Sequence, residues 1–125
     1  MKHLLAGSLA LLMSATSAYS QDGIARIVGY YYDDAGRETV LELRGKAREA
    51  GHSWRRQDNL EMPTDGYVQR RTVVRYFWPK SEDLALKVAA DLGFSESVLE
   101  ESDGSEWGMS SSETDYLEIW IAPSE

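Results

Sequence analysis

The stretch Thr72-Val73-Val74-Arg75-Tyr76-Phe77-Trp78 decides the fold of this chain. β-Branched and aromatic residues fill it, and Pro79, which cannot donate to a strand ladder, ends it, so it reads as a strand. A helix is expected directly afterwards. Ser81 is a good N-cap residue, and Glu82 and Asp83 stand in the first turn, where the helix dipole favours negative charge. Leu84, Val88 and Leu92 then line one face with Ala85 and Ala89, and Gly93 closes the helix.

Working outward, the same plan repeats upstream. Ile24 to Tyr32 (IARIVGYYY) reads as a strand that ends at the turn cluster Asp33-Asp34-Ala35-Gly36. From Arg37 to Ala50, the residues Val40, Leu43, Ala47 and Ala50 recur at helical spacing, Leu41 broadens the stripe, and Gly51 stands at a left-handed C-cap. His52 to Asn59 alternates weakly around Trp54 and is at best an edge strand, while Met62 to Gly66 is a turn by its Pro and its Asp-Gly pair. Downstream, Ser95 to Thr114 is polar, glycine-containing and acidic, which suits a long surface loop or hairpin with Trp107 as its only large apolar anchor. Tyr116 to Ile121 (YLEIWI) is the last strand: Leu117, Ile119 and Ile121 share one face, Tyr116, Glu118 and Trp120 the other, and Pro123 ends it.

The order is β-α-(β)-β-α-β without an internal boundary. It predicts an α+β fold, a two-layer sandwich with two helices on one face of a mixed sheet of about four strands. The other face is left open or partly covered by the acidic loop at about 95–114.

Length and composition agree with a single small domain. The chain has 125 residues, 42% hydrophobic and 10% aromatic, with 13 Lys+Arg against 21 Asp+Glu. That acidic balance argues against a nucleic-acid partner. The absence of cysteine excludes disulfides, thiolate metal sites and thiol nucleophiles. Residues 1–20 read as a secretory signal peptide: Lys2 and His3 form a positive end, Leu4 to Met13 an apolar run, and Ala18-Tyr19-Ser20 an A-x-A-like site, with the cut between Ser20 and Gln21. The apolar run is too short for a span, which takes about 20 residues, so the expectation is a periplasmic or secreted chain with one domain over residues 21–125 and no membrane span.

The run Val74-Arg75-Tyr76-Phe77-Trp78-Pro79, the following Ser81-Glu82-Asp83 and helix Leu84 to Leu92, and the closing Leu117-Glu118-Ile119-Trp120-Ile121 carry a resemblance. Together they resemble small envelope-associated modules related to the C-terminal domain of LytR/CpsA/Psr-type proteins. The resemblance covers residues 24–122 in order of elements and implies a module that is not itself an enzyme, with no catalytic residue to carry over. A second similarity is to the sporulation-related repeat that binds peptidoglycan glycan strands, from which the acidic insertion after Gly93 departs.

The chemistry-bearing residues are few. Gly51-His52-Ser53-Trp54-Arg55 begins like a nucleophile elbow, but Arg55 replaces the required small residue and the segment follows a helix where the motif needs a strand. His52 is the one histidine beyond the signal, too few for a histidine zinc site on ligand count, and it reads as an exposed loop residue. Asp33-Asp34 and the acidic run Glu100 to Glu106 lack the register of a calcium loop. No metal or cofactor is expected.

Charge is unevenly distributed. Residues 21–80 hold 11 basic and 9 acidic side chains, whereas residues 81–125 hold one basic, Lys87, and 12 acidic. Arg55, Arg56, Arg70, Arg71 and Arg75 fall mid-chain, interleaved with Trp54, Tyr67, Tyr76 and Trp78. Arginines beside aromatics make a candidate platform for an anionic or glycan ligand, and the competing reading is neutralisation by the acidic segment Glu96 to Glu118. The leading expectation is therefore a non-enzymatic exported binding or interaction module of the bacterial cell envelope, with an envelope protein or peptidoglycan as partner. The alternative is a small exported hydrolase using paired carboxylates such as Asp33 or Glu118.

Overall fold

Helix α1 is set by its N-terminal cap. Asp33 is extended, and its carboxylate accepts the Gly36 N–H at 2.8 Å, so α1 runs from Asp34 to Glu49. The Asp33–Gly36 cluster read as a turn is thus the cap and first turn of the helix. Gly51 follows with φ +93°, the left-handed conformation that glycine adopts without a Cβ penalty. The computed structural model describes residues 23–60 and 68–124. The signal peptide assigned to residues 1–20, its cut, the turn at 62–66 and Tyr67 lie outside the described residues.

Five strands form one mixed sheet: β1 (Arg26–Tyr31), β2 (Ser53–Asn59), β3 (Val73–Tyr76), β4 (Leu99–Glu101) and β5 (Tyr116–Trp120), in the order β2-β1-β5-β3-β4. β1 and β2 are parallel neighbours joined through α1, and β3 and β4 are parallel neighbours joined through α2 (Glu82–Asp91). Parallel neighbours require such crossovers. β5 is inserted between the two units, parallel to β1 and antiparallel to β3. The α+β two-layer architecture is as expected, with five strands in place of about four.

The extra strand is β4, which lies inside the acidic segment read as a loop. Three residues, Leu99-Glu100-Glu101, carry no alternation to see. The Ser102 N–H donates to the Tyr76 carbonyl at 2.8 Å and the Gly104 N–H to the Phe77 carbonyl at 2.9 Å, extending the attachment to β3. β2 is an edge strand, as expected, with an irregularity: Ile27 faces Trp54 and Val28 faces Arg56, so Arg55 is the extra residue of a bulge.

One layer of contacts holds the helices to the sheet. Val40, Leu43 and Ala47 of α1, and Ala85, Val88 and Ala89 of α2 with Leu92, pack on Ile27, Val74, Leu117 and Ile119. Ile27, Leu117 and Ile119 are fully buried, each contributing roughly 1.5–3 kcal/mol by leaving water. Ser81 occupies the N-cap position of α2 without capping it; its hydroxyl instead donates to the Thr114 carbonyl at 2.7 Å and anchors the acidic segment.

His52 is not the exposed loop residue that its surroundings in sequence suggest. Its side chain is fully buried, Nδ1 accepts the Ala25 N–H at 3.0 Å, and Nε2 lies 2.8 Å from Asp91 Oδ2. A backbone donor at Nδ1 places the imidazole proton on Nε2, which donates to Asp91. The ring therefore ties the lead-in to β1 to the end of α2, a long-range partnership that local pattern does not encode.

Candidate functional site

Alternation along the strands sends one set of side chains under the helices and the other to the opposite face. On β5 the outward set is Tyr116, Glu118 and Trp120; on β1 it includes Arg26 and Tyr30; on and just after β3 it includes Arg75 and Phe77. These residues floor a cleft of about 510 Å³. The acidic segment supplies its wall through Trp107, Met109 and Glu113. Trp107 is 67% exposed, so it stands on the cleft rim and is not the buried anchor of its loop.

Glu118 is at the centre of the floor. Tyr116 donates its hydroxyl to one carboxylate oxygen at 2.7 Å and Trp120 its indole N–H to the other at 2.8 Å. Both partners are two residues away, which on a strand puts all three on one face. Tyr30 and Trp120 stack with ring centroids 4.6 Å apart, and Phe77 and Tyr116 with centroids 5.7 Å apart. Burial, and next the bond to Glu118, push the Tyr116 phenol far above the ordinary tyrosine range; burial and then the Glu118 charge push Tyr30 up as well.

The arginines of the cleft are already engaged. Arg75 bonds Glu100 at 2.6 and 3.0 Å, donates to the Gln69 side-chain oxygen at 3.0 Å, and lies over the Trp120 ring at 4.7 Å. Arg26 bonds Asp115 at 3.0 Å, sits 3.9 Å from Glu113, and lies 5.8 Å from the Tyr116 ring centre. The bond to Asp115 holds the Arg26 guanidinium above its ordinary pKa.

The sequence-predicted residues are divided among several places. Arg55 and Arg56 stand on edge strand β2, with Arg56 bonded to Asp58 at 2.9 Å. Arg70, Arg71 and Glu100 line a separate hollow, where Arg71 donates to the Ser97 carbonyl at 3.2 Å. β2 and β3 are three strand spacings apart, about 14 Å, so the five arginines form two groups. Trp54 and Tyr76 pack in the helix-side core. Trp78 lies against Gly104 beside a third hollow, and its buried indole N–H has no hydrogen-bond partner among the described residues. Of the eight, Arg75 alone lines the main cleft. Tyr116, Glu118 and Trp120, the outward half of YLEIWI, lie on the open sheet face expected from strand alternation and line this cleft.

The two carboxylates of the hydrolase alternative do not share a site. Asp33 accepts the Gly36 N–H and both the backbone and hydroxyl donors of Ser124, whereas Glu118 lies in the cleft. The Ser124 and Gly36 bonds hold the Asp33 carboxyl below its ordinary pKa. Among the described residues no group of His, Asp or Glu is arranged to hold a metal ion, and no helix is long and apolar enough to cross a membrane.

No family model matches the chain, and no curated protein matches it. Among solved structures it is similar to the C-terminal domain of RV0431, with 18% identity over 80% of this chain and 72% of that one and a TM-score of 0.42. That likeness is a weak structural similarity and assigns this chain no function.

Proposed function

We propose that this chain is a non-enzymatic, exported binding module of the bacterial cell envelope, and that the open sheet face is its binding surface. The observation that carries the reading is the aromatic-walled cleft around Glu118, about 510 Å³, with Trp107 exposed at its rim. Ligand sites are concave, largely apolar, carry a few convergent polar groups, and span about 300–1,000 Å³. The signal-like residues 1–20 support export, and an envelope protein or cell wall is the partner that location offers.

The test is retention of the chain from Gln21 onward on purified cell wall, with pull-down from periplasmic extract in parallel. Retention that falls sharply in Trp107→Ala, with the melting temperature unchanged, supports the cleft as the binding surface. Equal retention of the two proteins on both materials overturns it.

A further inference from the structure

We infer that the cleft takes an alkylammonium group, seated against Glu118 between aromatic walls; this deepens the reading of the cleft as a binding site and rests on it. The charge arrangement carries the argument. Both cleft arginines are matched by carboxylates, Arg26 by Asp115 and Arg75 by Glu100. Glu118 is met by two neutral donors, and among the described residues no cation lies within ion-pair distance of it. The lining holds Arg26 and Arg75 against Glu113 and Glu118; with Asp115 and with Glu100, which Arg71 also meets at 4.0 Å, the count is three arginines against four carboxylates, a net of −1.

Each class of ligand meets this arrangement differently. An anion gains Arg75 only by displacing Glu100 from bonds of 2.6 and 3.0 Å. A neutral ligand leaves the Glu118 charge to water. An ammonium ion pairs with Glu118 through acceptor sites that Tyr116 and Trp120 leave open, since a carboxylate offers about four. The same ion gains the negative faces of the surrounding rings.

The experiment titrates the folded chain with choline and with butylammonium, following the indole N–H resonances of Trp107 and Trp120 by NMR. The control ligand is the neutral isostere of choline in which a tert-butyl group replaces the trimethylammonium. Either cation is expected to shift both resonances, with the isostere about tenfold weaker or worse. Glu118→Gln should reduce choline to the level of the isostere, because glutamine can still accept from Trp120 and donate to Tyr116. Trp107→Ala, altered only at the exposed rim, should weaken choline without changing the melting temperature.

Equal binding of choline and its isostere overturns the inference, as does the absence of a shift with both cations. If either occurs while cell-wall retention still depends on Trp107, the ammonium assignment falls and the cleft remains the binding surface. If retention is indifferent to Trp107, the binding reading itself falls.

Discussion

Arg75 and Glu118 are direct partners across the antiparallel β3–β5 pair, yet the Arg75 guanidinium turns to Glu100 on the other side. β4 is the reason. It brings Glu100 opposite Arg75 in the parallel register, and Gln69 and the Trp120 ring complete the seat. The pairing leaves Glu118 to neutral donors and so sets the charge of the cleft.

That seat is a stability element as well. The Arg75 side chain is 12% exposed, so Arg75→Met removes charge-assisted bonds from a mostly buried place and leaves Glu100 only its 4.0 Å pairing with Arg71. Urea unfolding should show a loss of about 1–3 kcal/mol. Glu100→Gln should cost less, and the double variant less than the sum of the two. Arg70→Ala, at an exposed position, should change stability by no more than about 0.5 kcal/mol. Equal costs at positions 70 and 75 would contradict the pairing.

Three glycines separate by sign. A Cβ on Gly104 would meet the Trp78 ring at 2.6 Å and the Phe77 carbonyl at 3.0 Å, and one on Gly29 would meet the Trp54 ring at 2.7 Å. Gly104→Ala and Gly29→Ala should each destabilise by about 1–3 kcal/mol through overpacking. Gly45 lies inside α1 with nothing within 4 Å of such a Cβ. Gly45→Ala should stabilise by about 0.5–1 kcal/mol, because glycine loses more backbone freedom in a helix than alanine does. Thermal melts of the three variants are sufficient to check the order.

The parts of the fold legible in sequence are those with local periodicity: Val40, Leu43 and Ala47 on α1, Leu117 and Ile119 on β5, and the Val73–Tyr76 strand. β4 was hidden because its three residues owe their strand geometry to β3, and the acidic character of Glu100 and Glu101 reads as solvent-facing. The neutralisation of Arg75 and Arg71 by an acidic segment was legible from charge asymmetry. The grouping of Arg55 and Arg56 with the other three was not correctly placed, because strand order, with β1 and β5 lying between, is a property of long-range pairing. Trp54 and Tyr76 look like surface aromatics beside arginines, but the pleat turns them beneath the helices.

His52 and Asp91 give a pH-dependent prediction. Burial raises the Asp91 carboxyl, but the bonds from Lys87 and His52 outweigh it, and the net direction is downward from 3.8. A depressed folded value means that Asp91 adds stability above its unfolded pKa and loses it as pH falls through the folded one. Asp91→Asn should therefore lower stability at neutral pH and flatten the decline below about pH 4. His52→Ala strands the buried Ala25 N–H and opens a cavity, and should cost about 2–3 kcal/mol. Chemical unfolding as a function of pH measures both, and an unchanged acid limb in Asp91→Asn would contradict the ascribed role.

The opposite sign operates at the alkaline end. The Tyr116 phenol is raised by burial and by its bond to Glu118, so the folded chain holds that proton where the unfolded chain releases it. Its contribution is fully present below about pH 10, the ordinary tyrosine value, and is lost as pH rises toward the folded value. Stability should fall above about pH 10, and the tyrosinate absorbance belonging to Tyr116 should appear only with unfolding. Tyr116→Phe should lose about 1 kcal/mol at neutral pH with the hydrogen bond, while its alkaline limb becomes shallower because one coupled proton is gone. If the native chain instead develops the Tyr116 absorbance near the ordinary value without unfolding, then Glu118 does not hold that proton, and the negative floor assigned to the cleft is wrong.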